Sequence, residues 1–373
     1  MVLPARRLRF SSPLHDERTA AVLGLALGVA FAVCFLTGLL SHLIQHPPSW
    51  FAWPTRPVWL YRVTQGLHVA TGIASVPLLL AKLWTVYPHL WAWPPARDVP
   101  HALERLSLLP LVGGSLFLLV SGVQNIARWY AWDLFFTTAH YSVAWITMGA
   151  LAVHVGAKLH ITRQAMAEPP SEETTGLSRR GFLGAVAAGA GVLTIATVGQ
   201  TLRPLRAVSV LAPRDPQVGP QGVPVNKTAA SARVLDVIAD PGYRLVVEGA
   251  VRRPLSLSLE ELRALPQREA SLPIACVEGW SATGRWRGVP VGELLRLAGA
   301  ADGATAEVVS LQERSRYRRS SLDAARVRDV DTLLALELNG EPLHEDHGYP
   351  VRLIAPNRPG VLQTKWLGKV IVR

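Results

Sequence analysis

Residues Leu134–Ala157 read LFFTTAHYSVAWITMGALAVHVGA, a run with no charged side chain and two histidines. At 1.5 Å per residue, about 20 such residues cover the roughly 30 Å hydrocarbon core of a bilayer. Three similar runs precede it: Thr19–Pro54, with an outer loop after about residue 43, Val63–Ala81 and Leu106–Ala127. Residues 1–161 are therefore expected to form an all-α transmembrane four-helix bundle.

Working outward, the 373 residues suffice for two domains. They are 49% hydrophobic and only 17% charged, and the apolar share sits in the first 200 positions. The formal charge of +11 falls mostly in short segments between apolar runs, which makes it a topology signal. No nucleic-acid module is recognisable, so no nucleic-acid partner is expected.

With the N-terminus inside, the inner segments hold Arg6, Arg7, Arg9, Arg18, Lys82, Arg97, Arg105, Lys158, Arg163, Arg179 and Arg180. The outer loops hold only Arg56, Arg62 and Arg128. This asymmetry places the N-terminus in the cytoplasm of a bacterial inner membrane. Trp50, Trp53, Trp59, Trp129 and Trp132 then fall at the outer interface.

Histidine inside an apolar span is costly and points to function. His140 and His154 share the fourth span, 14 residues apart. That is about 21 Å of helix and about 40° of rotation, one imidazole near each leaflet. His68 opens the second span level with His140, and His42 ends the first at similar depth. An antiparallel pair such as His68 and His140 can offer two imidazoles to one haem iron. The inner partner of His154 is open, His15 being one choice; interface histidines bonded to backbone or headgroups are the plain alternative.

The polar stretch Thr162–Leu177 leads into Ser178-Arg-Arg-Gly-Phe-Leu183 and the mildly apolar run Gly181–Gly199. This resembles a twin-arginine export signal. No small-x-small cleavage site follows, so residues 162–202 are expected to be a linker and a retained signal-anchor helix. An ordinary fifth helix with a positive-inside pair is the alternative.

From residue 203 to 373, Pro and Gly punctuate short apolar runs. Strands are expected at Arg244–Glu248, Glu307–Leu311, Val351–Ala355 and Lys369–Val372, and short helices at Ser258–Ala264 and Val291–Ala298, giving an extracytoplasmic α+β domain. Of the two cysteines, Cys34 lies in a span and Cys276 is the only thiol of this domain. A lone cysteine can be a small buried hydrophobe or a soft metal ligand.

Two resemblances sharpen these readings. Over about residues 15–160 the histidine pattern resembles the di-haem membrane cytochromes b, such as the membrane subunits of formate dehydrogenases, which implies one or two b haems and a quinone or quinol partner. The run Cys276-Val-Glu-Gly-Trp-Ser with Gly284-Arg-Trp-Arg-Gly-Val-Pro resembles the molybdenum-ligand region of the sulfite oxidase superfamily. So do Leu333-Leu-Ala-Leu-Glu-Leu-Asn-Gly-Glu-Pro-Leu343, His347-Gly-Tyr-Pro-Val-Arg-Leu353 and Lys365-Trp-Leu367, in that order.

This second resemblance implies a molybdenum–molybdopterin cofactor with Cys276 as catalytic metal ligand. It implies pterin contacts at His347, Arg352, Gln363, Thr364 and Lys365, with Asn226 in an early loop and a further contact near Ser310–Gln312. The metal could equally be tungsten.

Val277-Glu-Gly-Trp-Ser281 departs from the Asn-Arg-rich sequence of sulfite oxidases. It is closer to the molybdenum subunit of periplasmic methionine-sulfoxide reductases. The expected reaction is therefore reduction of an S- or N-oxide, either a small molecule or oxidised methionine. Oxidation of a small sulfur compound such as sulfite and a non-catalytic binding module are the alternatives. Arg314, Arg316, Arg318 and Arg319 form a solvated face or an anion-attracting run. Oligomeric state stays open.

Overall fold

A computed structural model describes residues 12–90, 98–129, 135–167 and 177–373. Arg6, Arg7, Arg9, Arg97, Trp132 and residues 168–176 of the expected linker lie outside the described residues. The described chain forms two compact units. One takes in the residues up to Gly38 with Leu67–Gly199 and Ala207–Leu211, the other Leu39–Gly66, Gln200–Arg206 and Ala212–Arg373.

Five helices are long and apolar enough to cross a membrane. They are α1 (Glu17–Gln45), α2 (Leu60–Leu90), α3 (Val99–Ala127), α4 (Phe136–Ala167) and α5 (Arg179–Val198). Their apolar side chains point outward: Leu36, Leu109 and Val192 are all more than 60% exposed. Lipid, not protein, suits such a surface.

Local chemistry sets the helix ends. The Asp98 carboxylate accepts the His101 amide to start α3, and the Ser178 hydroxyl accepts the Gly181 amide to start α5. Arg179, next to that cap, donates from Nε to Thr19 at 3.2 Å and pairs with Asp16 at 3.6 Å. Helices α3 and α4 approach where Gly114 faces Thr147; a Cβ at Gly114 would lie 2.1 Å from the Thr147 hydroxyl.

In the second unit ten strands make two five-stranded sheets. They are β1 (Arg244–Gly249), β2 (Leu255–Ser258), β3 (Arg268–Ala275), β4 (Ser281–Pro290) and β5 (Ala306–Ser310), then β6 (Arg319–Leu322), β7 (Leu333–Leu338), β8 (Glu341–Pro342), β9 (Arg352–Ile354) and β10 (Leu367–Val372). The first sheet runs β2-β1-β10-β5-β6, with β1 and β10 parallel. The second runs β3-β4-β7-β8, and β9 also pairs with β7.

Short helices fill the connections: α6 (Ala229–Ala232), α7 (Leu235–Ile238), α8 (Leu259–Ala264), α9 (Val291–Leu297) and α10 (Ala324–Arg328). The expected strands and helices sit within a residue or two of β1, β5, β9, β10, α8 and α9. Ser258 and Glu261 form a reciprocal capping box at the start of α8.

Leu245, Val247, Val308 and Val370 of the first sheet share one core with Val289, Leu334, Leu336 and Leu353 of the second, and Leu294 from α9 joins it. The β4–β7 ladder slips at Arg287/Gly288. There a Cβ on Gly288 would meet the Leu334 carbonyl oxygen at 2.1 Å and the Ala335 Cα at 2.6 Å. Neither contact belongs to a flexible group, so Gly288→Ala is expected to destabilise the domain by about 1–3 kcal/mol or more. Thermal denaturation of the detergent-solubilised chain measures this; an unchanged midpoint refutes the close approach.

Candidate active site

Strand β3 ends at Ala275, and the chain turns tightly through Cys276–Trp280 before β4. The Cys276 amide donates to the Trp280 carbonyl at 2.9 Å, and Gly279 supplies the left-handed residue (φ 87°) that closes the turn. The Trp280 indole donates to the Glu278 carboxylate at 2.9 Å. Cys276 is thereby fixed, 3% exposed, among Ile274, Trp280 and Trp286. Burial, reinforced by the Glu278 carboxylate, pushes its thiol pKa up. The thiol stays protonated until a metal displaces the proton.

A small cleft opens at this thiol. Its walls carry Asn226, Cys276, Trp280, His347, Arg352 and Lys365, with Gly360 on one side. Five residues singled out from sequence thus meet at one place, although they are spread over 140 positions.

Arg352 opens β9 and is 2% exposed. It donates to the carbonyls of His347 (2.9 Å) and Gln363 (3.1 Å), and its guanidinium lies 4.9 Å from the centre of the Trp286 ring. Its Nε is buried without a partner. Lys365 donates to the carbonyls of Lys227 and Asp346, both at 2.8 Å. Among the described residues neither cation forms an ion pair with a carboxylate. Burial lowers the Arg352 pKa to about 9 and, with Arg352 nearby, that of Lys365 to about 7.

Two backbone features bring these groups together. Gly348 has φ 109°, and a Cβ there would lie 3.0 Å from the Cβ atoms of both Arg352 and Lys365. Trp366 adopts φ 52°, unusual for a bulky residue, and its indole donates to the Glu345 carbonyl at 2.7 Å. His347 is fixed by a 2.8 Å bond from Nε2 to the Pro220 carbonyl, which leaves Nδ1 as an acceptor.

Gln363 and Thr364 lie behind the cleft rather than on its wall. The Gln363 amide bonds the backbone of Ala355 in both directions, and the Thr364 hydroxyl pairs with Ser320 at 2.7 Å. Ser310 donates to the Lys365 carbonyl at 2.8 Å, and Gln312 is buried with its amide on the Arg314 carbonyl. Arg314, Arg316, Arg318 and Arg319 are all exposed, and Arg319 pairs with Glu307 at 2.5 Å. Arg358, which no sequence feature marked, is 4% exposed and leaves Nε and one terminal nitrogen unpartnered.

In the first unit the rings of His68 and His140 stand 6.3 Å apart. Their Nδ1 atoms are both engaged, His68 with the Cys34 carbonyl at 2.8 Å and His140 with the Ser121 hydroxyl at 3.0 Å. Gly38 makes room for the first ring, since a Cβ there would lie 2.9 Å from His68 Cε1. The His154 Nδ1 is buried and unpartnered, and His15 bonds the Thr85 carbonyl at 3.0 Å while packing on Trp84. His42 stacks on His46 one turn along α1, in the second unit.

Burial also lowers the His347 pKa from 6.5 to about 4. The unfolded chain therefore binds more protons between those values, and stability falls as pH drops through that window. The same holds for Lys365 between 10.5 and about 7. In the ligand-free chain the thermal midpoint should fall from pH 6.5 to 4.5, and His347→Gln should flatten that slope. Parallel slopes for the two proteins contradict a buried neutral His347.

A protein-family model of the oxidoreductase molybdopterin binding domain matches residues 232–373. Over 130 residues the chain is 36% identical to a candidate protein-methionine-sulfoxide reductase subunit, YedZ1, of Azospira oryzae, covering 35% of this chain and 48% of that protein. It is 30% identical over 161 residues to the mitochondrial sulfite oxidase of Drosophila melanogaster, covering 36% and 28%. The solved structure of the sulfane dehydrogenase SoxCD of Paracoccus pantotrophus aligns over 35% of this chain and 38% of that one, at 27% identity and a TM-score of 0.33. The chain spans about half the length of the first curated relative and under a third of the second. Residues 232–373 therefore match the oxidoreductase molybdopterin binding domain, and this part of the chain is similar in sequence to sulfite oxidases.

Proposed function

We propose that this chain is a bacterial inner-membrane enzyme passing electrons between the quinone pool, b haem and a molybdenum centre that reduces an S- or N-oxide. In this reading residues 1–161 are the haem-carrying part and 162–202 a linker and signal anchor. Residues 203–373 are the exported catalytic domain, and the N-terminus is cytoplasmic. The observation that carries it is the cleft: one buried thiol shares it with two cations that pair with no carboxylate among the described residues.

That donor set fits an anionic pterin phosphate bearing a soft metal. Thiolate sulfur is a soft ligand, and a guanidinium binds phosphate through its planar fork. Cys276 would hold the metal; Arg352, Lys365, His347 and Asn226 would hold the pterin and its phosphate. Gln363 would act through Arg352 and Thr364 through the wall behind it. When bound, such a centre supplies oxygen-atom transfer coupled to electron exchange. The chain's residues bind and orient it, and the burial of Cys276 keeps water from the metal-binding sulfur.

His68 and His140 fit one haem. They would hold its iron between them, and their ring centres stand 6.3 Å apart. The occupied Nδ1 atoms fix ring orientation, as outer-shell partners of ligating histidines do. His154 would serve a second haem whose other ligand is unassigned; His42 is the weakest candidate.

The overall reaction balances as quinol plus S-oxide giving quinone, sulfide and water, with two electrons and two protons transferred. The similarity to a methionine-sulfoxide reductase subunit supports oxidised methionine as substrate. The similarity to a sulfite oxidase favours a second reading, oxidation of a small sulfur compound with electrons passing to quinone.

Full-length protein should contain about one molybdenum, pterin and one or two b haems. Cys276→Ser should cut turnover by more than the roughly 100-fold that loss of an outer-shell partner costs, with the haem spectrum intact. His140→Ala should lose a b-type absorption band and keep the molybdenum. Quinol oxidation driven by methionine sulfoxide supports the first reading; quinone reduction driven by sulfite supports the second. Protein with haem but neither metal nor pterin rules out both.

A further inference from the structure

The unit that contains the cleft also contains Leu39–Gly66, the hairpin that joins α1 to α2. Its closest tie is Asn357, 2% exposed, in the loop between β9 and the Gly360–Leu362 turn. The Asn357 side-chain oxygen accepts the Tyr61 amide at 2.7 Å. Its side-chain nitrogen donates to the Pro54 carbonyl at 2.7 Å, and its own carbonyl accepts the Trp53 indole at 3.0 Å. Tyr61 lies in the first turn of α2, where amides have no intrahelical partner. A residue almost 300 positions away therefore satisfies one end of a membrane helix.

The same loop continues into the wall of the cleft. Pro359 bridges Ala275, the residue before Cys276, and Gly360 lines the cleft itself. A Cβ at Gly360 would lie 3.0 Å from the Ala275 carbonyl oxygen. On its other side Ala275 shares a buried cluster with Ile44 and Tyr61, with Phe51 and Trp53 packed against it.

Ion pairs hold the hairpin down: Arg56 reaches Asp329 at 3.1 Å and Asp331 at 2.5 Å, and Asp331 also binds Arg268 at the start of β3. Arg326 donates to the Trp53 carbonyl at 3.2 Å. Gln200, just after α5, donates to the Gly279 carbonyl in the cysteine turn at 3.3 Å.

We propose that Asn357 is a positioning residue that ties the α1–α2 hairpin to the cleft wall, so that electrons reach the Cys276 site through a junction built from this chain. This rests on the proposed relay between haem and molybdenum. Three hydrogen bonds at one buried residue fix the hairpin's end, and the two residues after Arg358 fix the strand that carries the thiol. Loosening the clasp frees the hairpin's end, while the contacts of Pro359 and Gly360 keep the thiol strand in place.

Asn357 sits at φ 52°, which glycine tolerates, so Asn357→Gly removes the side chain without backbone strain. Asn357→Asp keeps an acceptor for Tyr61 and loses the donor to Pro54. Both are made in the full-length membrane protein.

In Asn357→Gly, amide exchange at Tyr61 and over residues 357–362 should rise together by about tenfold or more, with molybdenum and haem contents unchanged. Turnover driven by quinol should fall by at least about tenfold, the scale a small misplacement produces, while turnover driven by reduced viologen holds. Asn357→Asp should fall between the two. Unchanged exchange, or equal losses with both donors, overturns the proposal. If the unaltered protein shows no quinol-driven turnover, the relay reading fails, and the exchange measurement alone still decides whether Asn357 holds the wall.

Discussion

A buried cation that pairs with no carboxylate among the described residues governs this domain. Removing a guanidinium from water costs several kcal/mol, and carbonyl hydrogen bonds return only part of that. Arg352 has two such bonds, one aromatic face and an unpartnered Nε. Lys365 repeats the pattern with two carbonyls. An anion bound there would stabilise the folded chain by an amount that grows with the logarithm of its affinity.

The scaffold accepts strain to hold these charges in place. Gly348 lets the His347 turn come within contact of Arg352 and Lys365, and Trp366 takes a left-handed conformation directly after the lysine. The cost of that conformation is met by burying the indole among Ala229, Ala232, Val234 and Ile238 and bonding its N–H to Glu345. The histidines of the first unit follow a related rule. In both places hydrogen bonds hold the back of the side chain.

Much of this was legible because it is local. His347, Arg352 and Lys365 lie in short motifs, and so does Cys276. The capping box at Ser258 and the alternation in β1 also depend on neighbours along the chain. Strands β3 and β4 were hidden by Pro273, Gly284 and Gly288, residues that normally mark turns. Pro273 is tolerated because β3 is the edge of its sheet, and Gly288 because the β4–β7 ladder bulges there. Strand β7 is buried on nearly every position, so it shows no alternation. Gln363 and Thr364 stand in a motif beside Lys365, yet their side chains point to Ala355 and Ser320. Spacing locates a residue in a segment but not the face it presents. Asn357 and Arg358 carried no signal, because their partners lie far away in sequence.

The hairpin between α1 and α2 does more than join two long apolar helices. A tether needs only length and polarity. This one brings Tyr61, Trp53 and Ile44 into the core beneath Ala275 and gives the loop at Asn357 three hydrogen-bond partners. Without those groups Ala275 would lose its apolar cover, one residue from the thiol. Buried apolar surface and satisfied amides are shared between the hairpin and the cleft wall, so neither reaches its folded energy alone. Segments 39–66 and 212–373 thus belong to one compact unit, with most of the long apolar helices in the other. The thiol is shaped by residues that enter the sequence more than 200 positions before it.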